Sequence, residues 1–356
     1  MTIPNLLSTP DEPAAVELLH GLECTDGLPV VLPTPERVDR MVLATGLDPD
    51  LVVGEMGPQG GAATVHKIAI NAVMAGCLPD HVPVVLAAIG AMCKPEFDLG
   101  EMQGTTHCTA PLLIVNGPAR EACGGIASGF GALGPGHRAN ACIGRAVRLA
   151  MTNIGGARPG RSDMALLGHP GKFAYCLAEA EEASPLPPFH TSLGYSPDAS
   201  VVTVVGAEAP HSVIHSPDGD DPRADDPLLD TLAAVIANQG SNNMHLGGGG
   251  AVTVVLNPDH AAVLAGAGHD RASIREALAE RAAHPRRAMR ALNPKMVPAG
   301  DDDDLLHAVR DPANVLVVVG GAGGLYSMVM PSWCGGPHAN VAVHAAFEPN
   351  PFCEVP

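Results

Sequence analysis

The sequence predicts an α/β fold made of two duplicated lobes with parallel or mixed sheets, related by a pseudo-twofold. Three observations carry that expectation. Short β-branched runs alternate with stretches of helical period, the pattern of sheets covered by helices. The composition is 46% apolar but only 3% aromatic, with Gly 41 and Pro 34, which suits an Ala/Val/Leu/Ile/Met core with many tight turns. Four blocks also recur in the same order. "LVVGEMGP" (51–58) resembles "TVVGAEAP" (203–210), and "HCTAPLLIVNGPA" (107–119) resembles "HLGGGGAVTVVLNPDHA" (245–261). "GPGHRANACIGRAVRLA" (134–150) resembles "GAGHDRASIREALAERA" (266–282), and "LLGHPGKF" (166–173) resembles "VVGGAGGL" (318–325).

The elements follow in order. "DLVVGE" and "VVTVVG" are β-branched runs that predict strands. "TVHKIAINAVMAG" and "DPLLDTLAAVIANQG" carry apolar residues at helical spacing and end at glycine. "PLLIVNG" and "AVTVVLN" are apolar runs ending at turn residues. "ANACIGRAVRLAMTNIGG" and "ASIREALAERAAH" read as helices, and "NVLVVVGGAGG" as a buried strand before a glycine loop. The proline-rich stretch 181–200 separates a first lobe, 1–185, from a second, 186–356. Two such halves place a ligand site in the cleft where loops after the strands converge.

Charge narrows the partners. With 20 basic and 38 acidic residues the net charge is −18, a field that repels nucleic acid. The acidic stretches 216–230 and 299–307 read as solvated loops. No basic leader with an apolar run appears at the start, and no long uninterrupted apolar run predicts a membrane span. Nine scattered cysteines without a CxxC pair read as reduced thiols in cytoplasm. A chain this rich in Ala and Gly is of a kind that forms homo-oligomers.

Reactive residues stand out by rarity and by asymmetry between the halves. Lysine occurs only at positions 67, 94, 172 and 295. Lys67 lies one turn into a helix behind Gly60 and Gly61, with Asn71 on the same face. A helix start of this kind favours an anion, but it is neither a Walker loop nor a dinucleotide fingerprint. Lys172, in "GHPGKF", aligns with a glycine of the second half and reads as a lysine at a sheet's C-terminal edge. It is a candidate acid, base or imine-forming amine, or else a salt-bridge partner of Glu179 or Glu182. Glu179 and Glu181 share a face if "FAYCLAEAE" is extended, and Glu179 is a candidate proton relay. His107 and His245 precede matching strands and would meet if the halves pack symmetrically. Arg138, near a helix start, invites a ligand carboxylate, with Asn140 beside it, whereas Arg145 and Arg148 read as helix-face partners of acids. Cys77 ends a helix, where the dipole weakens a thiol nucleophile; Cys334, in "SWCGGPH" beside the only tryptophan and before His338, is a second thiol candidate. Neither a GxSxG elbow nor an HExxH pair is present.

Taken together, "DGLPVVLPTPERVDRM", "ATVHKIAINAVMAGCLPDHVPVVLAAI", "APLLIVNGP", "RANACIGRAVRLAMTNIGGARPG" and "PGKFAYCLAEAEEASP" resemble an uncharacterised bacterial family associated with UGSC-motif (seleno)proteins. The blocks span most of 26–190. The UGSC tetrapeptide itself does not occur in this chain. The resemblance implies an ancient two-lobed enzyme-like fold and assigns no reaction.

The expected function is an enzyme acting on a small anionic organic substrate in the inter-lobe cleft. It would cleave a bond by lyase or hydrolase chemistry, with Lys/His acid–base groups; the cofactor is left open. Two alternatives stand beside it: a metal- or thiol-dependent redox protein working with a partner, and a non-catalytic small-molecule binding protein.

Overall fold

The computed structural model describes residues 6–216, 221 and 223–349. The chain begins with α1 (Glu12–Gly21), which Asp11 caps by accepting the Ala14 N–H, and α2 (Pro35–Thr45). A hairpin of β1 (Val52–Met56) and β2 (Gly61–Thr64) follows. Its close approach to the chain at Ile154 needs Gly61, because a Cβ there would run into the Ile154 carbonyl oxygen. Thr64 then caps α3 (Val65–Ala75), which Gly76 ends in the left-handed region at φ 83°. Next come α4 (Val82–Met92), α5 (Leu99–Gly104), β3 (Ala110–Asn116), α6 (Ala119–Ala122), α7 (Arg138–Asn153), β4 (Cys176–Ala178) and β5 (Ser200–Ala207). The rest comprises β6 (His211–Ile214), α8 (Asp225–Ile236), α9 (Asn242–His245), β7 (Val252–Leu256), α10 (Pro258–Gly266) and α11 (Arg271–Arg281). Then follow β8 (Ala283–Pro285), α12 (Arg286–Leu292), β9 (Leu305–His307), β10 (Val315–Val319), β11 (Tyr326–Pro331) and β12 (Val343–Phe347).

Two four-stranded mixed sheets organise these elements, in the orders β12-β5-β3-β4 and β6-β11-β7-β10. In each, one parallel pair (β3 with β4, β7 with β10) is extended by two antiparallel neighbours. Alternation along the strands shows how they stack. Leu112 and Ile114 of β3 join Leu316 and Val318 of β10 in one apolar cluster between the sheets. Leu113 and Val115 face outward into a cluster with α3, α4 and α7. Val315, Val317 and Val319 face the other way, onto α8 and α11. The layers are therefore helix, sheet, sheet, helix, and both faces of each sheet are buried. That is why the central strands read as unbroken apolar runs.

Two features of the predicted organisation change. The boundary at residue 185 does not divide the sheets: β5 and β12, from the second predicted lobe, pair in the first sheet. The strands are exchanged reciprocally, since β5 of the first sheet leads into β6 of the second, and β11 of the second is followed by β12 of the first. Of the four recurring blocks, two fall at equivalent places, β3 with β7 and α7 with α11. The other two do not, because β1 sits in a separate hairpin while β5 is central, and 166–173 precedes a strand while 318–325 follows one. The acidic run 301–304 is not simply solvated either. Arg290 binds Asp302 at 2.7 Å, Arg286 binds Asp304 at 3.3 Å, and Arg287 binds Asp303. In the other acidic stretch, residues 217–220 and 222 lie outside the described residues.

The sheets are tied together at Glu179, whose side chain is fully buried. Its Oε2 accepts from Asn116 Nδ2 and the Phe189 N–H, both at 2.6 Å. Its Oε1 accepts from Arg271 Nη2 at 3.1 Å and from the Val319 N–H at 3.3 Å. Glu179→Ala strands a buried guanidinium and should cost about 3–5 kcal/mol. Adding Arg271→Met should recover part of that loss, so the double variant measured by urea unfolding falls well short of the summed single effects.

The buried His81 and the half-buried His344 set the acid limit. His81 and His344 are each lowered to about 4, first by burial and then by Arg138 and Lys94 respectively. The unfolded chain therefore binds more protons below its ordinary value near 6.5, so their contribution is complete above that pH and lost as pH falls toward 4. The unfolding free energy from urea melts should drop across this window, by on the order of 2 kcal/mol per histidine at pH 4, and His344→Gln should make the drop shallower.

Candidate functional site

α7 carries the first wall of the site. Arg145, Arg148 and Thr152 fall on one face at helical spacing. Arg145 turns to Asp26 at 2.7 Å, an acid partner as expected of it. Beyond the end of α7, Gly156 at φ 73° reverses the chain into a compact turn in which the Arg158 carbonyl accepts the N–H groups of Arg161, Ser162 and Asp163. The turn is held to the segment after α1 by Arg161 and Glu23 at 2.7 Å. The chain then runs to His169, whose Nδ1 accepts the Gly171 N–H at 3.1 Å, and to Lys172.

These segments enclose a cavity of about 790 Å³. Its polar lining includes Asp26, Arg148, Arg158, Arg161, Asp163, His169 and Lys172. Asp163 is the hub. Only 4% exposed, it accepts from Lys172 Nζ at 2.9 Å and Arg148 Nη2 at 3.1 Å. Burial by itself would raise its carboxyl, but the Lys172 hydrogen bond and charge, with Arg148, hold it below the ordinary value. His169 is lowered as well, by burial first, which favours the neutral ring at pH 7. Because Nδ1 accepts, the ring proton sits on Nε2, a buried nitrogen with no well-formed hydrogen bond. The Ala207 and Cys108 carbonyls lie near enough only to offset part of the burial effect. Tyr175 meets the His169 ring edge-on at 5.8 Å and donates to the Glu208 carbonyl at 2.8 Å. Glu208 in turn binds His107 Nε2 at 2.8 Å.

The cavity lies beside the first sheet's outer helix layer, at the end where β3 and β4 begin. The space between the sheets is filled by apolar side chains, so no inter-lobe cleft receives the site. Lys172 precedes β4, not a sheet's C-terminal edge, and its partner is Asp163 in place of Glu179 or Glu182. His107 stands behind the cavity, beyond Tyr175. His245 is in the second half and bonds the Gln239 carbonyl at 2.8 Å, not His107.

The remaining sequence candidates hold the fold. Lys67 is exposed and donates to the Ala62 carbonyl at 3.0 Å. Asn71 joins Lys67's carbonyl to Asn153. Gly60 and Gly61 shape the hairpin. Arg138 donates to the Gly76 carbonyl at 3.0 Å, so the end of α3 answers its charge where a ligand had been expected. Asn140 is buried and bonds Ala127 on both sides and the Cys176 carbonyl. Glu179 is the tie between the sheets, and Glu181 meets it at Asn116. Burial raises Cys77 well above its ordinary value and pushes Cys334 up to about 11, which leaves both as neutral thiols. Among the described residues no group of three or more His, Cys, Asp or Glu side chains is placed to hold a metal ion.

Sequence reasoning missed Arg148 as a cavity residue, and Arg158, Arg161, Asp163 and His169 altogether. A signal was present: 158–172 holds three of the chain's 20 basic residues together with that histidine and aspartate. No family model matches this chain, and no curated protein matches it.

Asp163→Asn removes the charge on which Arg148 and Lys172 converge. Stability in urea should fall by about 1–3 kcal/mol, and added phosphate should restore more of it in this variant than in the parent. Equal phosphate effects in the two proteins would show that the cations are satisfied elsewhere.

Proposed function

We propose that the protein is an enzyme that takes a small anionic organic molecule into the cavity beside α7 and cleaves a bond in it by lyase or hydrolase chemistry. The observation that carries this reading is the convergence of Lys172 and Arg148 on one carboxylate in the wall of a substrate-sized cavity. In a chain of net charge −18, four cations line this cavity, facing Glu23, Asp26 and Asp163. Asp163 orders the two inner cations. Lys172 has three N–H donors and Arg148 five, so both keep spare donors for a substrate carboxylate or phosphate. His169 supplies a polarising donor: its neutral ring has the Nδ1 lone pair engaged and its Nε2–H held only loosely by the Ala207 and Cys108 carbonyls, so that it can turn to an oxygen of the substrate as a neutral imidazole.

The two halves of the chain derive, on this reading, from a duplication with pseudo-twofold symmetry. The shared strand order and directions of the two sheets support it, as do the equivalent places of β3 with β7 and α7 with α11. Kinship with the UGSC-associated family rests on blocks that form α2, α3, α4, β3, α7 and β4. A cytoplasmic setting accords with the eight free thiols among the described residues. No helix of the described residues is long and apolar enough to cross a membrane.

The test is a thermal-shift series with formate, malonate, citrate and inorganic phosphate against their neutral amides or esters. An anion at about 100 times its Kd stabilises by about 2.7 kcal/mol, a rise of a few degrees in Tm. Lys172→Met should abolish the rise and Lys67→Met should leave it. Turnover of the preferred anion, followed by NMR, should be lost in His169→Gln with binding kept. A shift unchanged by Lys172→Met overturns the site; binding without turnover of any anion in the series leaves a binding protein.

A further inference from the structure

A second, much smaller hollow opens where Lys172 and Arg148 pass behind the cavity wall. Its volume is about 10 Å³, the lower bound for one water. Thr109, at the start of β3, lines it together with Arg148 and Lys172, and Ala110, Val147 and Met151 make it apolar elsewhere. Thr109 is 2% exposed, and its Oγ1 is buried without a hydrogen-bond partner. A buried hydroxyl left unpaired carries the full cost of its desolvation, so this one calls for an occupant that bonds it.

The surrounding polar groups fix what that occupant is. Lys172 uses one of its donors on Asp163, and Arg148 uses Nη2 on Asp163 and Nη1 on Gln103 Oε1 at 3.5 Å. Both keep free N–H groups, and the threonine adds an O–H. Each side-chain polar group lining the hollow can thus donate, and the two cations leave no place for a third. Gly144 explains why the space stays tight, since a Cβ at that position would lie 2.5 Å from the Tyr175 nitrogen. It lets the chain entering β4 close directly against α7.

We infer that Thr109, Arg148 and Lys172 form a subsite for a single acceptor oxygen, held by one water in the free protein and by one oxygen of the substrate's anionic group once it is bound. The inference rests on the anion-binding reading of the larger cavity and adds to it the residue that fixes the anion's depth. Thr109 acts here as a specificity-determining residue: it seats an oxygen where an apolar group of equal size is refused.

Formate and inorganic phosphate serve as probes, because they present the same acceptor oxygen from a carboxylate and from a phosphate. A high-resolution crystal structure of the ligand-free protein should show one water within hydrogen-bond reach of Thr109 Oγ1, and Thr109→Val should lack it. Calorimetric binding of the tighter probe should weaken about tenfold in Thr109→Val, the worth of one hydrogen bond to a charged group, and stay within about twofold in Thr109→Ser. The melting temperature of unliganded Thr109→Val should stay within about two degrees of the parent, since the substitution removes the hydroxyl together with the water that bonds it. A merely structural threonine would lower it. A dry hollow, equal probe binding in the parent and Thr109→Val, or equal weakening by valine and serine each overturns the subsite. If Lys172→Met loses the probe while Thr109→Val keeps it, the cavity's reading stands and only the subsite fails; if the parent binds neither probe, both fall together.

Discussion

The structure depends on one buried carboxylate. Glu179 has no contact with water, yet four donors from four separate segments reach it: the end of β3, the turn at Phe189, α11, and the end of β10. The last two belong to the second sheet's layers and the first to the first sheet. A charge this deep is tolerated only when its lone pairs are met. Each donor must therefore arrive in register, and the two sheets must meet in one orientation. Arg271 reinforces the constraint by donating onward to the Val317 and Pro187 carbonyls. Apolar contact between the sheets supplies driving force without direction; the carboxylate supplies the direction.

Strand exchange has the same consequence. The edge strand β6 of the second sheet follows directly on β5 of the first, and the edge strand β12 of the first follows on β11 of the second, so the chain crosses between the sheets at both edges. The order β12-β5-β3-β4 holds the starts of β3 and β4 side by side, and that edge is where Thr109 and Lys172 meet α7. The tie at Glu179 sits at the opposite end of the same two strands. Rigidity at one end and an open cavity at the other are two results of a single short parallel pair.

Within the cavity the logic of charge is local. The chain as a whole is strongly acidic, but four of its 20 cations stand where a helix face, a compact turn and a glycine-bounded loop converge. Asp163 keeps Arg148 and Lys172 ordered and leaves both with unused donors. His169 is neutral for the contrary reason: it is buried beside a lysine and lacks a carboxylate of its own. Both groups are lowered, which leaves an ionised carboxylate and a neutral imidazole in one wall at pH 7.

The sequence by itself determined the alternation of strands and helices. "PLLIVNG", "AVTVVLN" and "NVLVVVG" are strands because β-branched runs buried on both faces have no polar side to show, and α3, α7, α8 and α11 follow from apolar spacing and capping residues. It also singled out Lys172, by rarity. It did not decide which sheet an edge strand joins, because β6 and β12 carry the same local preferences whichever partner they take. Nor did it separate the surroundings of its glutamates and histidines, since burial and the number of available donors, not residue type, make Glu179 a tie and leave His169 a neutral ring in the cavity wall. Lys67 and Arg138 drew notice from their places at helix starts, but nearby carbonyls satisfy both. The meeting of Thr109, Arg148, Asp163 and Lys172 spans 63 positions of chain, and only the packing of β3, α7 and β4 brings them to one point.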